Sequence, residues 1–255
     1  VPRLVFGGGN LAVVGYREFP PPTALRDLVE CAWVVYGPPE QVRVLPDGCM
    51  DLMRMDGRVM VAGPDTTASV SPRDGEPFVG LRFHPGVLPR LLGVPASELR
   101  NERVQLTELH GECPQRDSLT ELAVALASEE PRAETAPWPL GLLSHVTNRL
   151  AAGSAVADVA RDIGWSNRTM QRHCAAIYGY GPAMLRRILR FRRAVGLLGD
   201  GIPVVEVAGR AGYADQPHLH REVRELAGVP VASLRHDSSS ANRSTQLPSG
   251  SATVA

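Results

Sequence analysis

Apolar residues recur along this chain with two different periods, and the change of period divides it. Between residues 31 and 83 they fall in short β-like runs, at 31–36, 41–45, 49–55, 58–62 and 77–83, rich in the branched and aromatic side chains that suit a pleated surface. Turn formers separate the runs: Gly37-Pro38-Pro39, Pro46-Asp47-Gly48, Asp56-Gly57 and Gly63-Pro64-Asp65. These residues tolerate positive φ or preset a turn, and Asp56-Gly57 between two apolar runs is the strongest hairpin signal. Helical spacing takes over at 87–92, 95–99 and 117–127. Residues 128–139, acidic and with three prolines, read as an interdomain linker. From about 140 to 234 the pattern is helical with short breaks, and 237–255, rich in Ser, Thr and Asn, reads as a disordered tail. The expected fold class is α+β: a β-rich domain over 1–127, a linker over 128–139 and an all-α domain over 140–236.

The helical region repeats itself at an offset of 48 to 49 residues. Val156, Val159, Ala160 and Ile163, followed by Gly164 and Trp165, match Val204, Val207, Ala208 and Ala211, followed by Gly212 and Tyr213. Each set puts one apolar face on a two-turn helix, ended by a glycine able to adopt the left-handed conformation. The next helices match as well, with Met170, Cys174 and Ile177 against Leu219, Val223 and Leu226, and with Ser166 and Asp215 as N-caps. Helix, glycine turn and second helix with a buried stripe make a helix-turn-helix, whose second helix enters the major groove of DNA. Between the copies, Met184, Ile188, Phe191, Val195 and Leu198 form the stripe of one long helix, about 24 Å long at 1.5 Å per residue. Arg186, Arg190 and Arg193 lie on another face, which is either solvated or, with Ser166, in contact with phosphates.

Charge sharpens this picture. The chain has no lysine, and its net charge of zero is unevenly spread: 13 Arg stand against 19 Asp and Glu over 1–140, and 13 against 7 over 141–236. A basic helical domain behind an acidic β-rich one is the layout of a polyanion binder joined to a part that avoids the polyanion.

From 144 to 235 the chain resembles the AraC family of transcription regulators. The resemblance rests on Val156-Ala157-Asp158-Val159-Ala160-Arg161-Asp162-Ile163-Gly164-Trp165-Ser166, on Arg187-Ile188-Leu189-Arg190-Phe191-Arg192-Arg193-Ala194, and on Val207-Ala208-Gly209-Arg210-Ala211-Gly212-Tyr213-Ala214-Asp215-Gln216. Gly228-Val229-Pro230 to Arg235 matches the closing signature. Cys174 and Val223 depart from it, standing where the family usually has phenylalanine. The resemblance implies a sequence-specific reader of duplex DNA. Arg168, Gln171 and Arg172 share one face of the first reading helix, and such positions reach base edges in the family; arginine suits guanine and glutamine suits adenine. The corresponding residues of the second are Gln216, His220 and Arg221, with Pro217 removing one polar group.

The N-terminal half, with Leu45-Pro46-Asp47-Gly48-Cys49-Met50-Asp51-Leu52 and Leu81-Arg82-Phe83-His84-Pro85-Gly86, resembles sensor-like domains found ahead of this module. It is expected to hold a small-molecule effector or a homodimer contact, and RNA polymerase is a further expected partner. Trp33, Met53 and Phe83 either line a pocket or fill the core. Cys31, Cys49, Cys113 and Cys174 are scattered without the spacing of a zinc site, so no metal or cofactor is expected. The alternative, a DNA-repair or thiol- or metal-dependent protein, would use Cys49 with His84, Cys31, His110 or Cys113, yet no activated-nucleophile motif surrounds Cys49. Gly7-Gly8-Gly9 reads as a flexible arm rather than a phosphate loop. With no run near 20 apolar residues and no basic-then-apolar leader, a cytoplasmic protein without a membrane partner is expected.

Overall fold

The computed structural model describes residues 15–37, 41–72, 76–111 and 116–236; the glycine arm, Cys113 and the Ser-rich tail lie outside them. The N-terminal half holds eight described strands: β1 (Gly15–Phe19), β2 (Val29–Tyr36), β3 (Gln41–Val44), β4 (Met50–Met55), β5 (Arg58–Ala62), β6 (Ser69–Pro72), β7 (Phe78–Phe83) and β8 (Arg103–Gln105). Six pair in the order β1-β2-β7-β4-β5-β8, all antiparallel, and β3 pairs with β6 in a separate ribbon. Strands β2, β3, β4, β5 and β7 coincide, to within two residues at each end, with the apolar runs of the sequence. The Asp56-Gly57 hairpin forms between β4 and β5, with Met55 opposite Arg58 and both turn residues at positive φ, 50° and 73°. That is the backbone a two-residue hairpin needs to follow the strands' right-handed twist.

Strand β2 is apolar on both faces, for a local reason. Opposite β7, Val29 pairs with Phe83 but Cys31 pairs with Arg82, so a bulge inserts one residue and exchanges the faces. Val29 and Phe83 then join the main core, while Cys31, Trp33 and Val35 form a second cluster with Tyr16, Met53 and Phe78. Trp33 lies across Gly80, where a Cβ would come within 2.3 Å of the ring. Phe83 and Trp33 therefore face opposite sides of the sheet and do not line one pocket together.

Ten described helices follow or intervene: α1 (Leu88–Leu92), α2 (Leu106–His110), α3 (Leu119–Ala127), α4 (Leu140–Ala151), α5 (Val156–Asp162), α6 (Asn167–Tyr178), α7 (Pro182–Gly199), α8 (Val204–Ala211), α9 (Gln216–Ala227) and α10 (Val231–His236). The architecture is thus the expected α+β one, a β-rich half followed by helices. No described helix is long and apolar enough to cross a membrane.

The core is divided differently from the sequence pattern. One cluster runs from the sheet through α1 and α3 into α4, α5, α6 and the first half of α7, joining Leu52, Leu88 and Leu122 to Leu150, Ile177 and Ile188. A second gathers Phe191, Ala194 and Leu198 of α7 with α8, α9 and α10, and takes in Leu45 from the N-terminal half. Residues 128–139, expected as a linker, form neither helix nor strand, but Thr135 and Trp138 are buried at 1% and 2% exposure. Arg90 donates to the Trp138 carbonyl at 2.9 Å. Hydrophobic contact, invisible in the segment's polar composition, pins it.

Trp138→Ala should therefore lower the urea unfolding midpoint by an amount equivalent to about 3 kcal/mol or more, the usual range for a buried tryptophan. A midpoint within about 0.5 kcal/mol of wild type would mean that this segment is a loose tether.

Candidate nucleic-acid interface

Both helix-turn-helix units are closed by the same backbone hydrogen bond. Gly164 and Gly212 take φ of 72° and 86°, and behind them the Trp165 N–H donates to the Ala160 carbonyl and the Tyr213 N–H to the Ala208 carbonyl, each at 2.8 Å. This left-handed termination favours glycine through conformation alone, since a Cβ at either position would meet nothing within 4 Å. The Ser166 hydroxyl then accepts from the Thr169 N–H at 3.1 Å, and the Asp215 carboxylate from the His218 N–H at 2.7 Å. The second turn holds one residue more, Ala214, between aromatic and cap.

Met170, Cys174 and Ile177 are buried on α6, and Leu219, Val223 and Leu226 on α9, each at 2% exposure or less. The opposite faces carry the residues expected to read bases: Arg168, Gln171 and Arg172 on α6 and Gln216, His220 and Arg221 on α9 are all exposed. Gln171 turns its amide oxygen toward the backbone at Gly181. Gln216 and His220 bring their side-chain nitrogens to 3.5 Å. Pro217 sits in the first turn of α9, where its missing N–H has no helical partner.

Behind α6 and α9 the turn aromatic meets a histidine, in two different settings. In the first unit Trp165 packs edge-on against His173 at 4.6 Å and, tilted, against Trp138 at 5.1 Å. The Trp138 indole N–H donates to His173 Nδ1 at 3.0 Å, which requires that nitrogen to be unprotonated. Burial, and then the charge of Arg172, hold His173 below its ordinary 6.5, consistent with that bond. In the second unit Tyr213 meets His218 edge-on at 5.2 Å and lies under the Arg190 guanidinium at 4.5 Å.

Arg190, expected either on a solvated face or at a phosphate, clasps the buried Glu222 carboxylate at 2.7 and 2.8 Å, while Arg187 bonds the same carboxylate at 3.1 Å and also pairs with Glu225. Arg186 is half-buried, and Arg193 and Ser166 are exposed. Glu222 lies three residues after Leu219 and one before Val223, on the edge of a buried stripe. A carboxylate in that register, with arginines on the neighbouring helix, was the signal available in the sequence.

The N-terminal half holds the far ends of α6 and α9. Arg100 donates to the Gly179 carbonyl at the end of α6, at 3.4 Å. At the end of α9, Arg43 donates to the Ala227 carbonyl at 3.1 Å and the Ala68 N–H to the Leu226 carbonyl at 2.6 Å. Cationic donors there satisfy open carbonyls and complement the helix dipole. On α7, Arg192 pairs with Glu30 and donates to the Cys49 thiol at 3.3 Å. Cys49 thus contacts Glu30 and Arg192, and burial pushes its pKa well up, away from a reactive thiolate. Among the described residues no group of three or more His, Cys, Asp or Glu could hold a metal ion.

Residues 144–237 match the family described as a helix-turn-helix domain, and residues 17–105 match a domain of unknown function, DUF6597. No curated protein matches the chain. Among solved structures the chain is similar to ToxT from Vibrio cholerae in a P21 crystal form, at 9% identity and a TM-score of 0.43, over 86% of this chain and 98% of that one. It is also similar to ToxT from Vibrio cholerae O395 bound to (E)-4-(8-methylnaphthalen-1-yl)but-3-enoic acid, at 8% identity and 0.44 over the same shares. Another structure of O395 ToxT gives 10% and 0.40 over 88% and 94%. No residue correspondence follows from likenesses at that level.

Because the folded state holds His173 below 6.5, the unfolded chain takes up the proton first as pH falls. The stability that depends on neutral His173 is complete above about pH 6.5 and declines below it. Wild type should lose more melting temperature between pH 7.5 and 5.5 than His173→Gln does; equal losses would disconnect this histidine from the packing of α6.

Proposed function

We infer that the AraC-type helix-turn-helix domain at the C-terminus makes this chain a DNA-binding transcription regulator, and we propose that its two reading helices engage two successive major grooves with α6 and α9. The observation that carries this reading is the pair of exposed polar faces on α6 and α9, built on matching turns and joined through one continuous helix. Helix α7 has 18 residues, about 27 Å at 1.5 Å each, and neighbouring grooves on one side of B-DNA are about 34 Å apart. Arg168, Gln171 and Arg172 read one subsite and Gln216, His220 and Arg221 the other, with Ser166, Arg186 and Arg193 at phosphates.

The N-terminal half acts on the reader. We divide the chain into a regulatory domain over 1–127, a packed connection over 128–139 and the reader over 140–236. Arg43 and Arg100 support the coupling, since each bonds the end of a different reading helix, as does Arg192 at Glu30 and Cys49. A ligand or second copy that shifts the sheet changes these bonds, and hence the free energy of DNA binding. We assign to this half a small-molecule effector or a homodimer contact, to the reader a contact with RNA polymerase, and to the whole a cytoplasmic, non-catalytic role.

Selection of bound sequences from a random pool tests the reading. The wild-type chain should select one site of up to about two helical turns. Arg172→Ala should cost about 1–3 kcal/mol and relax preference at one subsite. Arg221→Ala should relax the other. If about six arginines neutralise phosphates, affinity falls by roughly 10³ between 50 and 200 mM salt. An even loss of affinity in Arg172→Ala with an unchanged motif would remove α6 as a reading helix.

A further inference from the structure

We propose that Glu222 is the positioning residue of the second reading helix: by drawing Arg187 and Arg190 of α7 onto one carboxylate, it fixes which face of α9 meets DNA and withholds both arginines from phosphates. The proposal rests on the two-groove reading above and adds to it what sets the angle of the second head.

Glu222 is 5% exposed, in a helix whose reading residues are all open to solvent. A carboxylate so buried persists only with its charge and lone pairs answered, and three nitrogens of two arginines answer it, at 2.7 to 3.2 Å. Arg190 enters with two nitrogens on two oxygens, Nε to Oε1 at 3.2 Å and a terminal nitrogen to Oε2 at 2.7 Å, the fork geometry that fixes direction as well as distance. Its other side is stacked on Tyr213 of the turn, and Tyr213 packs on His218 of α9. Turn, reading helix and connecting helix thus meet at one charged centre. His218 Nε2 lies 3.8 Å from the same carboxylate.

The geometry makes the centre matter for reading. Arg221 precedes Glu222 by one residue and His220 by two, so any roll of α9 that carried Glu222 from α7 would turn both readers by the same angle. The first unit is held by other means: the residue matching Glu222 at the 49-residue offset is His173, packed between two indoles. The ion lock is therefore a property of the second unit, where substitution should separate the subsites. It also inverts the role of Arg190, whose loss should cost specificity rather than general affinity.

The test uses the full chain in sequence selection, with salt titration on random duplex and hydrogen exchange without DNA. In Glu222→Gln, preference at the second subsite should fall about tenfold while the first is retained. Arg187 and Arg190, released, should raise affinity for random duplex and steepen the salt slope by about 1 to 2, at roughly 0.9 per phosphate. Arg190→Gln, which keeps the carboxylate and its pairing with Arg187, should relax the second subsite with the salt slope of wild type. In both variants the amides of α9 should exchange faster and those of α6 as in wild type. A salt slope shallower by about 1 in Arg190→Gln, with both subsites intact, would place Arg190 on a phosphate and overturn the proposal. So would wild-type exchange of α9 in that variant, a result independent of DNA. A wild-type chain that selects no sequence would instead overturn the two-groove reading, and the exchange data would still decide the lock.

Discussion

A helix-turn-helix of some twenty residues cannot close a core by itself, and the rest of this molecule is arranged around that shortfall. The two units meet it differently. The first shares its core with the sheet and with α1 and α3, so that Ile177 and Tyr178 at the end of α6 pack against the region of Gly86. The second closes on α7 and α10, with Leu45 as its buried share of the N-terminal half. Helix α7 serves both by dividing its apolar stripe, Leu185, Ile188 and Leu189 to one side and Phe191, Ala194 and Leu198 to the other. A helix that is core to two bodies cannot bend freely between them.

The N-terminal half carries an unusually polar interior for a part that must brace others. Arg82, 5% exposed, stands among Glu18, Asp47 and Asp51 at 3.3 to 3.4 Å. Burial works against its charge, but Asp51 and Asp47 more than offset that and keep it protonated. Trp33 bonds Asp51 through its indole N–H at 3.0 Å, tying the aromatic cluster to the same centre. Such networks lose heavily when one member is removed, which makes them sensitive to anything bound beside them.

What was legible in the sequence was what short range decides. The glycines at 164 and 212, the caps Ser166 and Asp215, the apolar stripes and the Asp56-Gly57 turn each act within a few residues, and each stands where its local chemistry puts it. Strands β1 and β6 escaped because Gly15 and Pro72 argue locally against a strand, and β8 because it has only three residues. The burial of Trp138 was hidden because its partners, Trp165, His173 and Tyr178, come from later helices. The partner of Arg190 was hidden for a like reason: its 3.6-period neighbours, Arg186 and Arg193, suggested a common cationic face, whereas Glu222, more than thirty residues away, accepts its hydrogen bonds. The candidate reading faces needed only helix periodicity, and the contacts that aim them needed the fold.

The extra residue in the second turn has one more consequence. Ala214 lengthens that turn, and α6 and α9 present different exposed side chains, so the two helix-turn-helix units are not equivalent. On the two-groove reading proposed above, a single chain on DNA has a heading. Turned end for end, a site bound in that way would offer each unit the other's subsite, so one bound molecule would carry the direction of the site.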